Sequence, residues 1–534
     1  MLSDQSPAFD PLRTYDALVV GSGACGAVAA QSLAELGLQV LVLEAGPECT
    51  AAAAQATEPA NSLRRLAHLS AGRHKLQCQH PGYWKNNPDL YINERRHPYS
   101  TPADQPFLWT RGRQVGGRSL TWGGITLRLS EREFAQGWPL GHADLDPHYS
   151  ALESQLGVWG NRDGLELLPD GVYAPAAALT PAEAHLQQVC GQQLGLPFIP
   201  SRGLPRYRPN RDGPWPRFSA QGGALAVALA SGRVTLRSNA SVCQLLMAPD
   251  QGSVQGVLFV DGATGAVEQA RARFVVLCAS TIESLRLLLL SRDDRVKGGL
   301  IDPQGLTGLG LMDHVSVARF FALPQQAPAP VDTGLSGAES SFIPNTGEGY
   351  GLWCAVQRFQ PPALLCREPQ AAVGFLIGHG EVQPLATNRV VLAHQLKDVW
   401  GIPVPHISMG WGDAETGLVA EMLSRIAAVV AAAGGELKPI EDLFRLALIE
   451  PWVRSSAAGS AAAGPPGYYI HELGGAPMGT DPASSLLDRW NRWRTCPNLM
   501  VTDGACWPRS GWQSPTLTSM ALTRRACLQV GRDH

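Results

Sequence analysis

The chain has 534 residues, 45% of them hydrophobic and only 17% charged, against roughly 25% charged residues in an average soluble protein. A chain of this kind can bury a large core, which excludes a disordered protein and predicts two or more domain-sized units. With 43 Lys and Arg against 46 Asp and Glu, the net charge of −3 offers no basic excess for nucleic acid or an anionic membrane.

The first readable element is the apolar run 16–20, suited to a buried parallel strand. It leads into Gly21-Ser-Gly23-Ala-Cys-Gly26 and an alanine-rich helical stretch, 27–36, which Gly37 ends. A second strand, 38–43, stops at Glu44 and completes a βαβ unit. Residues 47–107 predict excursions with little sheet, and 109–129 are glycine-rich. Helices are expected at 146–157, 181–194 and 222–230, and a strand at 234–237. Residues 254–261 and 268–274 alternate as a β-meander would, 274–278 reads as a buried strand, and 281–290 as the helix after it. From 315 to 409 the pattern changes to separated β segments, followed by a long helix over 414–433 that Gly434-Gly435 ends. Residues 455–466 are a low-complexity Ala/Ser/Gly/Pro loop. A strand at 499–502 and a helix at 515–530 close the chain, and no repeat recurs at a fixed period.

Eleven scattered cysteines contain no C-x-x-C pair, which argues against zinc and iron–sulfur frameworks, so no metal is expected. Their odd number suits reduced thiols and predicts a cytoplasmic protein. The N-terminus lacks the apolar region of a signal peptide, and the apolar stretch 426–433 is too short to span a bilayer.

The glycine pattern has a physical logic. Gly21 permits a tight turn, Gly23 lets the backbone approach a pyrophosphate, and Gly26 lets the helix pack on its strand, with the helix N-terminus facing the phosphates. Glu44, 18 residues beyond Gly26, can accept bonds from both ribose hydroxyls and disfavours a 2′-phosphate, which sets NADP aside. This pattern alone does not separate FAD from NAD. Near the other end, His471 follows an apolar run, 468–470, and precedes Gly474-Gly475. A histidine there suits a base, because its pKa lies near neutrality; the competing reading is a buried, hydrogen-bonded histidine. His471-Glu472 begins like H-E-x-x-H, but Gly475 occupies the fourth place and removes the second zinc ligand.

Further segments resemble the glucose–methanol–choline (GMC) flavoprotein oxidoreductase family across nearly the whole chain. They are Glu44-Ala45-Gly46, Gly116-Gly117-Arg118-Ser119 with Trp122-Gly123-Gly124, His471-Glu-Leu-Gly474-Gly-Ala-Pro-Met478-Gly479, Asp503-Gly504, and Ser514-Pro515-Thr516-Leu-Thr518. Met312-Asp-His314 and Asn388-Arg-Val390 match more loosely. The branch most similar is that of bacterial sugar and glycoside dehydrogenases.

The resemblance implies an α/β fold. A Rossmann-like FAD-binding domain with a mainly parallel sheet would be assembled from 1–160, 205–318 and 465–534. A substrate domain with an antiparallel sheet flanked by helices would come from 319–464, and 161–204 would be a cap excursion. It implies cofactor contacts at Gly21, Gly23, Ala24, Cys25, Gly26, Glu44, Ala45, Arg113, Gly116, Gly117, Ser119, Val242, Asp503, Gly504, Pro515 and Thr516. Thr121 stands where some relatives carry a flavin-linked histidine, so FAD would be bound noncovalently.

His471 would take the hydroxyl proton of a sugar, glycoside or related alcohol while hydride passes to flavin N5. The electron acceptor would be a quinone, a protein or oxygen. Relatives place a second histidine or an asparagine where this chain has Ser514, which can bond a substrate oxygen, cap the last helix, or leave Gln513 to supply the polar contact. That departure keeps open a hydroxynitrile-lyase-like or fatty-acid-decarboxylase-like flavoenzyme, or a flavin-binding subunit of little activity. His314 reads as structural, and His379, His394 and His406 as surface histidines within reach of substrate. Trp507 and Trp512 read as sugar-stacking or core residues.

Overall fold

Thr14–Val20 is a seven-residue strand whose last four residues are buried, as a strand covered on both faces must be. It heads a parallel sheet in which Cys496–Val501, Val267–Leu277, Thr14–Val20, Val40–Leu43 and Val234–Arg237 lie side by side. The register puts Met500, Val276, Val19, Val42 and Leu236 in one apolar row across the five strands. The computed structural model describes residues 6–56, 59–292, 299–324, 326–330, 332–344, 349–359, 366–445 and 463–531. Most of the low-complexity loop, 455–462, therefore lies outside the described residues.

Val267–Leu277 is long enough for two partnerships. Its second half belongs to the parallel sheet, while its first half pairs antiparallel with Val254–Asp261, which pairs in turn with Ala240–Met247. The meander thus has a third strand, and Val242 sits within it opposite Phe259. The helices Ala24–Glu35, Thr516–Val530, His142–Leu156 and Ala224–Ala230 pack together against the sheet. The small residues Gly26, Ala27, Ala30 and Ala34 bring the first of them close to it.

The second sheet has six antiparallel strands in the order Glu436–Leu437, Val315–Leu323, Ala372–Gly380, Tyr350–Val356, Ser341–Pro344, Ile199–Pro200. Asp413–Ala432 packs on it, with Met422 so near Gly378 that a Cβ there would lie 2.7 Å from its sulfur. Ser316 pairs with His379, so one end of this sheet delivers both His314 and His379. The hairpin Arg389–Lys397 with Pro403–Ser408 is a separate two-stranded sheet that packs on the helix Thr281–Arg292.

Three expected elements differ in detail. The helix expected at 146 starts at His142, because the Gly141 amide bonds the Asp144 carboxylate at 3.0 Å and Pro147 is taken into the helix. The helix from Pro181 ends at Val189 and widens into a π turn over Cys190–Leu194. The last helix runs Thr516–Val530 with no side-chain cap at Pro515, and among the described residues Ser514 makes no capping bond.

Candidate active site

The glycine turn has the geometry expected at Gly21 and Gly26, and leaves Gly23 open. Gly21 has φ +96°, and a Cβ there would meet the Cys278 carbonyl oxygen at 2.5 Å. A Cβ on Gly26 would lie 2.0 Å from the Gly21 oxygen, so only glycine lets the helix approach. Gly23 faces open space with nothing within 4 Å of its virtual Cβ, while Gly117 packs on the Gly23 backbone, its virtual Cβ 3.4 Å from the Gly23 Cα. Two glycine segments, 94 residues apart in the chain, therefore pack together beside an open track over Gly23. Along it, the amides of the first helical turn at Ala24, Cys25 and Gly26 have no intrahelical acceptor. Ala24, Cys25, Ala45, Arg113, Val242, Gly504 and Thr516 are all half-buried.

Glu44 ends its strand buried and accepts from the Ser22 amide at 3.0 Å, the Ser22 hydroxyl at 2.6 Å and the Gly46 amide at 2.8 Å. Burial pushes its pKa up, and these bonds together with the Arg113 charge oppose the shift. One acceptor site of the four on the carboxylate stays free for a ribose hydroxyl. The residues present thus fit a dinucleotide: a backbone-lined open track at Gly23, and an acid at the end of the second strand.

Arg113 lies 4.7 Å over the Trp400 ring and donates to the Ser241 hydroxyl at 3.1 Å; burial lowers its pKa to about 10. Gly116 is buried at φ +86° against Gln221. Ser119 is buried too, and its hydroxyl donates to the Gly116 carbonyl at 2.6 Å while accepting from the Ala220 amide at 2.9 Å. Both polar groups of that hydroxyl fold the loop rather than line the track.

The segment around His471 joins three others. Leu473 and Met312 exchange backbone bonds at 2.8 and 2.9 Å, and Gly474, Ala476 and Met478 donate to the carbonyls of Gly504, Ala505 and Cys506. Asp313 accepts from the His471 amide and the Gly467 amide, each at 2.9 Å. Burial, with the Glu472 charge beside it, raises the Asp313 pKa to about 7. Asp503 accepts from Ser284 Oγ at 2.5 Å and from the Ala505 amide, and burial raises it to about 6. Ile470 is held at φ +63°, an outlier for a β-branched residue, immediately before His471.

His471 is half-buried. Its Nδ1 lies 2.9 Å from His314 Nδ1, and the Tyr469 ring stands edge-on to it at 4.8 Å. Burial holds the His471 pKa well below the ordinary value, and the charges of His314, His379 and Arg118 act the same way. His314, read as structural from the sequence, touches His471 directly. Its place in Met312-Asp-His314, a segment already matched to the same family, was the available signal.

Other expectations change as well. His379 is fully buried rather than at the surface, donates from Nδ1 to the Trp512 carbonyl at 2.7 Å, and stacks on Tyr469. His394 is exposed, and His406 Nδ1 pairs with the Ser100 hydroxyl. Gln513 is fully buried and donates to Glu133, so it does not stand in for Ser514. Trp507 and Trp512 are core residues, packed on Trp138 and Phe342. Ser514 itself is buried, and its hydroxyl has no hydrogen-bond partner among the described residues. Among the described residues no group of His, Cys, Asp and Glu could hold a metal ion, and no helix is long and apolar enough to cross a membrane.

Residues 384–523 match the family model described as GMC oxidoreductase, and residues 19–77 match one described as an NAD(P)-binding Rossmann-like domain. The fructose dehydrogenase large subunit of Gluconobacter japonicus is 24% identical over 97% of this chain and 98% of its own length. Paromamine 6′-oxidase of Streptomyces fradiae is 27% identical over 98% and 92%, and 2-methyl-1,2-propanediol dehydrogenase of Mycolicibacterium austroafricanum 25% over 97% and 95%. Pyridoxine 4-oxidase from Mesorbium loti superposes with a TM-score of 0.64 at 20% identity, over 97% of this chain and 99% of that one, a likeness of fold.

Proposed function

We propose that this chain, a member of the GMC oxidoreductase family, is an FAD-dependent oxidoreductase that oxidises a CH–OH group of a sugar, glycoside or related alcohol. Relatives matched over almost their full length are named as dehydrogenases and oxidases of fructose, paromamine and 2-methyl-1,2-propanediol, which favours redox chemistry over a lyase, a photochemical enzyme or an inactive subunit. The observation that carries the reading is the placement of His471. It is half-exposed on a segment bonded on one side to Asp503-Gly504 and, through Arg118, to the glycine segment that faces Gly23.

Bound FAD supplies the hydride acceptor. The open track over Gly23 would hold its pyrophosphate and Glu44 its ribose, with Arg113 and Val242 flanking the far end. Asp503, Gly504, Pro515 and Thr516 would lie along the flavin. Free amides at the N-terminus of Thr516–Val530 would favour negative charge there. His471 takes the hydroxyl proton, a contribution of typically ~10²–10⁴ in rate. Ser514, at the position of the family's second histidine or asparagine, offers a hydroxyl to the substrate oxygen. Thr121 in place of a histidine supports noncovalent binding, and the odd cysteine count supports a reducing, cytoplasmic setting.

The test is the visible spectrum of the anaerobic holoenzyme before and after addition of sugars, glycosides and simple alcohols. Bleaching of the oxidised-flavin bands by one class identifies the substrate, and His471→Ala slows that bleaching by at least 10²-fold. Bound flavin that no alcohol bleaches would return the lyase-like and inactive readings. Reoxidation by oxygen, quinones or protein acceptors identifies the acceptor, and flavin released on denaturation establishes noncovalent attachment.

A further inference from the structure

We propose that His314 is a positioning residue that fixes the proton of His471 on Nδ1, leaving the Nε2 lone pair of His471 free for the substrate hydroxyl; this rests on the reading of His471 as the base. The hydrogen-bond chain starts at the Gly511 carbonyl, 2.6 Å from His314 Nε2. A carbonyl oxygen has no proton to give, so His314 Nε2 carries one. His314 is 1% exposed, and burial holds its pKa at about 4, so the ring is neutral and its Nδ1 is bare. That bare nitrogen lies 2.9 Å from His471 Nδ1. Two lone pairs at this distance would repel, so His471 Nδ1 must be the donor. His471, itself kept neutral, then has its lone pair on Nε2.

The ring orientation is not interchangeable. Turning His314 over about its Cβ–Cγ bond would place carbons against both His471 Nδ1 and the Gly511 oxygen, and both bonds would be lost. Tyr469 packs edge-on to His314 and to His471, at 5.9 and 4.8 Å, and His379 stands edge-on to His314 at 5.8 Å. Arg118 supplies the nearby positive charge, Asp313 holds the His471 amide, and Glu472 faces Asp313. Both nitrogens of His314 are committed within the protein, so it acts through His471 and not on substrate.

In the step this prepares, the substrate O–H bond breaks and an Nε2–H bond forms, with the electron pair left on the substrate oxygen. His471 becomes an imidazolium whose Nδ1–H still donates to His314. The bond is now charge-assisted and stronger than in the resting state, so it favours the charged arrangement selectively. This gives the chain a second imidazole at the base even though Ser514 replaces the family's usual partner.

The experiment is a long-range 15N–1H correlation spectrum of histidine-labelled holoenzyme at neutral pH, with the His471 signals assigned by their loss in His471→Ala. The expected result is a protonated Nδ1 and an unprotonated Nε2; a proton on Nε2 overturns the proposal without any further variant. His314→Phe is expected to mix the two tautomers and lower kcat on the order of 10²-fold with little change in KM. His314→Asn, whose Oδ1 overlays the His314 Nδ1, is expected to restore the Nδ1–H tautomer and most of kcat. A His314→Phe enzyme that loses kcat while His471 keeps its Nδ1 proton would show a merely structural role and overturn the proposal. Unimpaired bleaching in His471→Ala would instead remove the base reading, while the wild-type spectrum would still decide the His314 link.

Discussion

Arg118 Nη2 donates to Glu472 Oε2 at 2.8 Å, a charged pair in which the carboxylate is almost fully enclosed. Arg118 Nη1 also reaches the Ile470 carbonyl at 3.1 Å, so one guanidinium grips the residues on both sides of His471. Removing it strands a buried carboxylate. Breaking a buried pair costs ~3–5 kcal/mol, and the 30% exposure of the Arg118 side chain favours the lower end. Arg118→Met is therefore expected to destabilise the protein by about 3 kcal/mol, read as a lowered urea midpoint, and to lower kcat because the His471 segment loses its clamp. Lysine at 118 is expected to recover only part of either, since it cannot fork between the carboxylate and the carbonyl.

Ile470 sits at φ +63°, where a β-branched side chain costs roughly 1–2 kcal/mol. Glycine pays no such cost, while alanine keeps part of the strain and also loses the side chain. The expected order of stability is thus Ile470→Gly above Ile470→Ala, the reverse of the usual ranking, in which glycine costs ~0.5–1 kcal/mol more. Thermal melts of the two variants check it; an alanine variant as stable as the glycine one would mean that the backbone is not strained there.

Two fully buried histidines give stability a definite pH dependence. Burial lowers His379 to about 3 and His314 to about 4, whereas an unfolded histidine titrates near ~6.5. Between those limits the unfolded chain binds more protons than the native one, so stability falls as pH drops from 6.5 towards 4. Asp313, raised to about 7, works in the opposite sense: its contribution is fully present at low pH and is lost as pH rises through that range. His379→Phe removes one of the acid-sensitive groups. Its stability is expected to fall less steeply between pH 6 and 4, by about 1.4 kcal/mol per pH unit. The lost Trp512 bond shifts the whole curve but not its slope. An unchanged slope would mean that His379 is already charged in the native protein.

Local chemistry explains what could be read from residues alone. The turn at Gly21, the open face at Gly23 and the close approach at Gly26 each follow from a missing Cβ, and Glu44 follows from strand length. His471 was legible as a base candidate because its segment, through Gly474 and Met478, resembles that of the GMC family. The pairings of His314 and His379 were not, because their partners are carbonyls at Gly511 and Trp512, 197 and 133 residues away along the chain. Sheet register decides that pairing, and hydropathy does not encode register between distant strands. Ile199–Pro200 as an edge of the second sheet escaped for the same reason. Ser514 was read as a cap from its neighbour Pro515, but the adjoining carbonyls are drawn to two histidines and the hydroxyl makes no capping bond.

The glycines of the dinucleotide turn separate folding from binding. A Cβ on Gly26 would sit 2.0 Å from the Gly21 oxygen, a backbone atom that cannot swing aside. Gly26→Ala must therefore push the helix off its strand, at about 1–3 kcal/mol or more for overpacking, with or without cofactor. A Cβ on Gly23 meets nothing within 4 Å, so Gly23→Ala is expected to leave the melting temperature of the cofactor-free protein unchanged or slightly raised, since alanine narrows the unfolded ensemble. The methyl group would instead enter the open track over Gly23, and FAD affinity is expected to fall at least tenfold, about 1.4 kcal/mol. Thermal melts of the apoprotein with a fluorescence titration of FAD distinguish the two effects. If Gly23→Ala binds FAD as tightly as the parent, the pyrophosphate does not run over Gly23, and the proposed cofactor path must be redrawn.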